Sequence, residues 1–214
     1  MANRIVSLNY NENRINKTIV MRLFFILLLS FNCLAQSDTL VVEVIYGSKP
    51  LVESERHWFG GKLGGHIGLR LGTDSVMHFV PGGRVVATNI NSDTGRYLIS
   101  STKQFYRTFR ADTTKTCQIF IPISQSQKQK LLNDSNPFLK EGPYPYAFFG
   151  MRCAAACYHL LSLADVTKDL SRSRMTWKFF YPRKLRKYLF KEAKSKGWIV
   201  KETAGSTKRK WDHD

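Results

Sequence analysis

Three residues far apart in the chain have side chains that could share acyl-transfer chemistry: Cys153, His66 and His78. Cys153 follows Tyr146-Ala-Phe-Phe-Gly-Met-Arg and opens the run Ala-Ala-Ala-Cys157-Tyr-His-Leu-Leu, so it stands at the start of a predicted helix. A thiol in that place is drawn toward its thiolate by first-turn N–H groups, by the helix dipole, by the neighbouring Arg152 and by an imidazole across the cleft. The same N–H groups, that of Cys153 included, can hold the oxyanion of a tetrahedral intermediate. Cys157 sits deeper and lacks these donors. A structural role competes, because Cys153, Cys157, Leu160, Leu161 and Ala164 recur at helical spacing and cysteine packs well as a small buried hydrophobe.

The histidines fall on adjacent predicted strands. Gly64-Gly-His66-Ile-Gly-Leu-Arg70-Leu alternates, with Ile67, Leu69 and Leu71 on one face and His66, Gly68 and Arg70 on the other. Gly72-Thr-Asp74 supplies a turn, and Ser75-Val-Met-His78-Phe-Val80 returns. With the three-residue loop Gly72 to Asp74, Gly68 stands opposite His78 and His66 lies diagonal to it on the same face; a two-residue loop would separate them. His66 is the better base, since its flanking glycines let another element approach, and His78 is placed to orient it or to stabilise its protonated form. A histidine on a strand is commonly just polar surface or a satisfied core residue. His57, His159 and His213 have no comparable context. A zinc site from Cys153, Cys157 and the histidines fits no common ligand spacing, and neither a metal nor a cofactor is expected.

These groups need a scaffold. Asp38 to Tyr46 reads as a strand, Gly47 to Ser54 as a loop, Arg84-Val-Val-Ala and Tyr97-Leu-Ile-Ser as short strands, and Thr116 to Ile123 as a stronger one whose Pro122 suggests an edge or a strand end. A polar helix runs from Ser124 to Leu132, capped by Ser124 or Ser126. The loop Gly142-Pro-Tyr-Pro-Tyr146 leads to the cysteine helix, Met151 to about Leu163. A last amphipathic helix starts at Pro182, carries Leu185, Tyr188 and Leu189, and stops at Gly197.

Residues 1–20 are polar and read as an extension upstream of the true start at Met21. Met21 to Ala35 reads as a secretory signal peptide, too short in its apolar run for a membrane span. Cys33 follows Phe31-Asn32, which argues against lipidation. The expected product is exported, periplasmic or secreted: a single domain over 36–200 followed by a basic tail, 201–214. Three cysteines then remain, leaving at least one free thiol in an oxidising compartment; Cys117 with Cys157 is the pair to consider for a bridge. The formal charge is +17, and residues 168–214 hold fifteen Lys or Arg against five Asp or Glu. Such a patch attracts polyanions, so an anionic envelope surface is an expected partner, while the absence of any nucleic-acid motif argues against nucleic acid. A solvated face kept for solubility accounts for the charge equally well. Oligomeric state is not legible.

In order and spacing these residues resemble the circularly permuted papain-like thiol enzymes, a group within the NlpC-type superfamily that includes the YaeF/YiiX-type amidases and the lecithin retinol acyltransferase family. The resemblance lies in the strand motif His66-Ile-Gly-Leu, in His78 twelve positions on, and in Tyr146 seven residues before a helix-opening Cys153. The strand Cys117 to Ile123, the helix after it and the stretch Tyr-Pro-Arg-Lys-Leu185 fall in the same order, so it spans about residues 40–195. The chain departs from the acyltransferase relatives in placing Arg152 before the cysteine and Ala154-Ala-Ala156 after it. The resemblance implies an α+β fold: an antiparallel sheet packed against helices, permuted papain-like, with the nucleophile at a helix N-terminus. It implies a cysteine hydrolase with Cys153 as nucleophile, His66 as base and His78 as orienting residue, acting on a cell-wall peptide amide or a lipid acyl ester. Tyr146, Arg152 and Arg70 are the expected substrate-binding residues. The competing expectation is a catalytically inactive envelope-binding module of the same fold.

Overall fold

The apolar alternation of the strands becomes the central layer of the computed structural model, which describes residues 37–47, 65–82, 95–109, 114–147 and 149–206. Six strands are described: β1 (Ser37–Ile45), β2 (His66–Arg70), β3 (Ser75–Pro81), β4 (Gly95–Ser101), β5 (Thr116–Ser124) and β6 (Ile199–Thr203). They form one antiparallel sheet in the order β4-β3-β2-β1-β5-β6. Among the described residues five α-helices accompany them: α1 (Thr102–Thr108), α2 (Gln125–Ser135), α3 (Cys153–Leu163), α4 (Arg172–Lys178) and α5 (Pro182–Lys196). The class is α+β, an antiparallel sheet packed against helices. The expected segments 1–20 and 21–35, the short strand at Arg84, the tail beyond residue 206, His57 and His213 lie outside the described residues.

The two faces of the sheet are unequal. Leu40, Val42, Val44, Ile67, Leu69, Met77, Phe79, Ile119 and Ile121 point to the main core, where they meet α3 and the buried sides of α2 and α5. Ile45, Val76 and Phe105 form a small second cluster on the other face, under α1. Helix α3 is the central core element: apart from His159 and Leu163 its residues are buried on every side, as an Ala- and Leu-rich helix without a polar stripe demands.

The β2–β3 hairpin takes the three-residue loop. Leu71 N–H donates to the Ser75 carbonyl at 2.9 Å, and the register Leu69↔Met77, Arg70↔Val76, extended by one residue, sets Gly68 across from His78, whose Cβ lies 3.1 Å from where a Gly68 Cβ would stand. Pro122 lies past the end of β6, which pairs only Thr116 to Phe120, so β5 is an outer strand there, as expected. Ser124 caps α2 in a reciprocal box with Gln127, and Pro182 and Gly197 bound α5 as read. Elements α1, α4 and β6 were not foreseen, and the sheet runs to Thr203, past the domain end placed at residue 200. Cys117, Cys153 and Cys157 are all free and buried, so Cys117 and Cys157 are not bridged.

Candidate active site

His66 and His78 meet. His66 Nε2 lies 3.1 Å from His78 Nδ1, and His78 Nε2 lies 3.1 Å from Ser100 Oγ on the next strand. Gly68 makes room for this diagonal contact: a Cβ there would stand 3.1 Å from the His78 Cβ, 3.1 Å from Phe105 and 2.7 Å from Val76. The His66 ring stacks on Phe109 at 3.7 Å between centroids, and Phe105, beside Phe109, packs against both imidazoles. Sequestered in this way, both imidazoles are neutral. Burial lowers the His66 pKa well below the usual histidine range, with the neighbouring His78 adding to it, and burial lowers that of His78 to about 4.

Cys153 is the first residue of α3 and is 4% exposed. The residue before it, Arg152, is extended and no side chain caps the helix, so first-turn N–H groups are left for other acceptors. β1 pairs with β2 back to His66, whereas the β2–β3 pairing runs only from Arg70 to Leu69. The thiol reaches the sheet at Ile67, beyond the end of that pairing. Burial raises its pKa, while Arg152 and the backbone N–H groups of Ile67, Ala154 and Cys153 favour the thiolate; burial wins, and the pKa is pushed up to about 11. The expected low-pKa thiolate is therefore not the resting state: desolvation outweighs one guanidinium and three amides.

The thiol and the histidines approach the sheet from opposite sides. The faces fixed by strand alternation put Ile67 and Leu69 toward α3, and His66 and His78 toward Phe105 and Phe109. Cys153 meets β2 at the backbone of Ile67, the residue next to His66. Among the described residues no hydrogen bond links the sulfur to either imidazole.

Tyr146 and Arg152 join the thiol. Tyr146 is stacked on Phe79, and burial raises its phenol pKa, with Cys153 adding to the rise and Arg152 opposing it. Gly95 lets this loop lie on the sheet, since a Cβ on it would come within 2.6 Å of the Tyr144 carbonyl and 2.8 Å of the Tyr146 nitrogen. Arg152 stacks on Phe180 and Tyr181 at 4.9 and 5.0 Å, and Phe180 faces Phe149, which is 63% exposed. A groove of about 480 Å³ runs beside this aromatic lip, lined by Pro145, Ala147, Phe149, Gly150, Arg172, Ser173 and Thr176.

Arg70 lies on the histidine face as expected but turns to the fully buried Glu43, with its Nε 3.2 Å from Oε1. Tyr106 and Gln118 also donate to Glu43, whose pKa burial raises. That network leaves Arg70 a partner of Glu43 rather than of Cys153. His159 sits apart: its Nδ1 lies 3.3 Å from the Tyr144 hydroxyl, which is bonded to Tyr97, and the trio ties the 142–146 loop to α3. Ser100 and Phe109 were missed in the sequence; only strand alternation toward His78 and the Phe105/Phe109 spacing could have pointed to them. No family model matches the chain, and no curated protein or solved structure matches it either.

Proposed function

We propose that this protein is an exported cysteine hydrolase that uses Cys153, His66 and His78 to cleave an amide of cell-wall-peptide type or an acyl ester, in a permuted papain-like, NlpC-type arrangement. The observation that carries the reading is convergence. A helix-opening thiol touches the backbone next to His66, and His66 is hydrogen-bonded to a second histidine twelve positions on.

The chemistry starts from a neutral pair. With substrate bound, the Cys153 side chain turns from the Ile67 N–H past the end of the β2–β3 pairing, the movement that carries it from the α3 face to His66; its S–H then passes the proton to His66 Nδ1, the ring nitrogen that His78 leaves unused, and the sulfur attacks the carbonyl carbon. The His66 imidazolium is stabilised through its Nε2–H by His78. First-turn N–H groups and the protonated Tyr146 phenol are the donors for the oxyanion. His66 returns the proton to the leaving amine or alcohol, and water then releases the acyl group from sulfur. Arg152, with the Phe149, Phe180 and Tyr181 lip, is the binding surface for the acyl donor. The exposed Arg and Lys residues of α4 and α5 suit an anionic envelope surface.

The test is mass spectrometry of the full chain after exposure to aryl ester and anilide acyl donors. An acyl adduct on Cys153, absent in Cys153→Ser and slowed in His66→Ala, supports the reading. The second reading, an inactive envelope-binding module, is favoured by one observation: the thiol is buried and held above its ordinary pKa. No adduct on a folded protein that still binds anionic vesicles would decide for it.

A further inference from the structure

We infer that Ser100 is a positioning residue that sets the tautomers of both histidines; this rests on the thiol-hydrolase reading above. Ser100 stands on β4 opposite Val76, and therefore on the same face as His78 and diagonal to it. The three side chains form one continuous line across β2, β3 and β4, from His66 Nε2 to His78 Nδ1 and from His78 Nε2 to Ser100 Oγ, each step 3.1 Å.

A neutral imidazole has one N–H and one lone pair, so the direction of the whole line is set at a single end. If Ser100 accepts from His78 Nε2–H, then His78 Nδ1 accepts from His66 Nε2–H, and His66 Nδ1 keeps its lone pair as a base. If Ser100 donates instead, every bond reverses: His66 Nδ1 then carries the hydrogen and cannot take a proton from a thiol. Phe105 and Phe109 pack against the rings and supply no competing acceptor. Ser100 itself is half-buried, so its O–H can turn to solvent and leave an oxygen lone pair for His78. The solvent-facing end of the line thus selects the basic form of His66. Among the described residues the charged and titratable groups on this face include Glu43 and Arg70, which pair with one another, Tyr106, which is bonded to Glu43, and, by strand register, the exposed Arg96 on β4 and Lys201 on β6; Cys153 approaches from the other side.

The decisive experiment is long-range ¹H–¹⁵N NMR of ¹⁵N-histidine-labelled full-length protein at neutral pH, for wild type, Ser100→Ala and Ser100→Thr, beside iodoacetamide labelling rates at Cys153. Wild type and Ser100→Thr should both show His66 and His78 as Nε2–H tautomers. Ser100→Ala should populate Nδ1–H at His66 and slow His66-dependent labelling by about tenfold, while Ser100→Thr restores the rate. Nδ1–H tautomers in wild type, or tautomers and rate unchanged in Ser100→Ala, would overturn the inference. Failure of the hydrolase reading looks different: Cys153 then labels at the same rate with and without His66, whatever the tautomers.

Discussion

At Cys153 two influences act on the same sulfur, and their balance sets how it reacts. Arg152 and three backbone amides pull toward thiolate, but burial holds the pKa at about 11, so iodoacetamide labelling should be slow at pH 7 and climb steeply from about pH 9 to 11. Stopped alkylation followed by mass spectrometry checks this; a plateau already reached at pH 7 would contradict it. The histidines carry a stability signature. Unfolded, His78 binds a proton near pH 6.5, whereas folded it resists until about pH 4, so the unfolded state gains protons first and stability falls as pH drops through that window. The shift corresponds to roughly 3 kcal/mol. His66 acts in the same direction, and His78→Gln should flatten the urea-unfolding profile between pH 6.5 and about 4. Gly68→Ala should cost about 1–3 kcal/mol, because the new methyl meets Val76 at 2.7 Å and drives His78 from His66. Thermal melts read the loss, and an unchanged Tm would contradict this tight packing around Gly68.

Elements with strong local signals were legible before any tertiary contact was known. The β2–β3 hairpin follows from period-two alternation around Gly72-Thr-Asp74, and α2 and α5 from their end signals at Ser124, Pro182 and Gly197. Ser124→Ala should therefore lower stability by about 1 kcal/mol in a denaturant melt, through loss of the bond that the Gln127 N–H donates to the Ser124 hydroxyl. The missed elements are short or weakly patterned. Helices α1 and α4 have seven residues each, and β6 is exposed along its whole length, so no apolar alternation marks it. What holds β6 is tertiary. Glu202 reaches the buried Tyr46 hydroxyl and pairs with Lys115 at 3.0 Å, while the Arg186 guanidinium lies 3.5 Å over the Tyr46 ring. Glu202→Ala should destabilise by about 1–3 kcal/mol, since it leaves the Tyr46 hydroxyl without its acceptor.

Among the described residues, exposed positive charge is concentrated on α4 and α5. Arg172, Arg174, Lys178, Arg183, Lys184, Lys187, Lys191 and Lys194 all face solvent on α4 and α5, next to a Trp177 that is 80% exposed. Co-sedimentation with anionic vesicles should therefore be strong at low ionic strength and fall off as salt approaches about 0.5 M, where the Debye length shrinks to roughly 4 Å. No described helix is long and apolar enough to cross a membrane. Local sequence by itself determined the α+β pattern, the hairpin that pairs the two histidines and the cysteine at a helix start, because side-chain period and capping act over a few residues. Only the tertiary structure decided the charge state of that cysteine, the commitment of Arg70 to Glu43 and the line from His66 through His78 to Ser100. Desolvation and hydrogen-bond partners depend on which distant strands and helices close over a residue, and no local pattern in the chain encodes them.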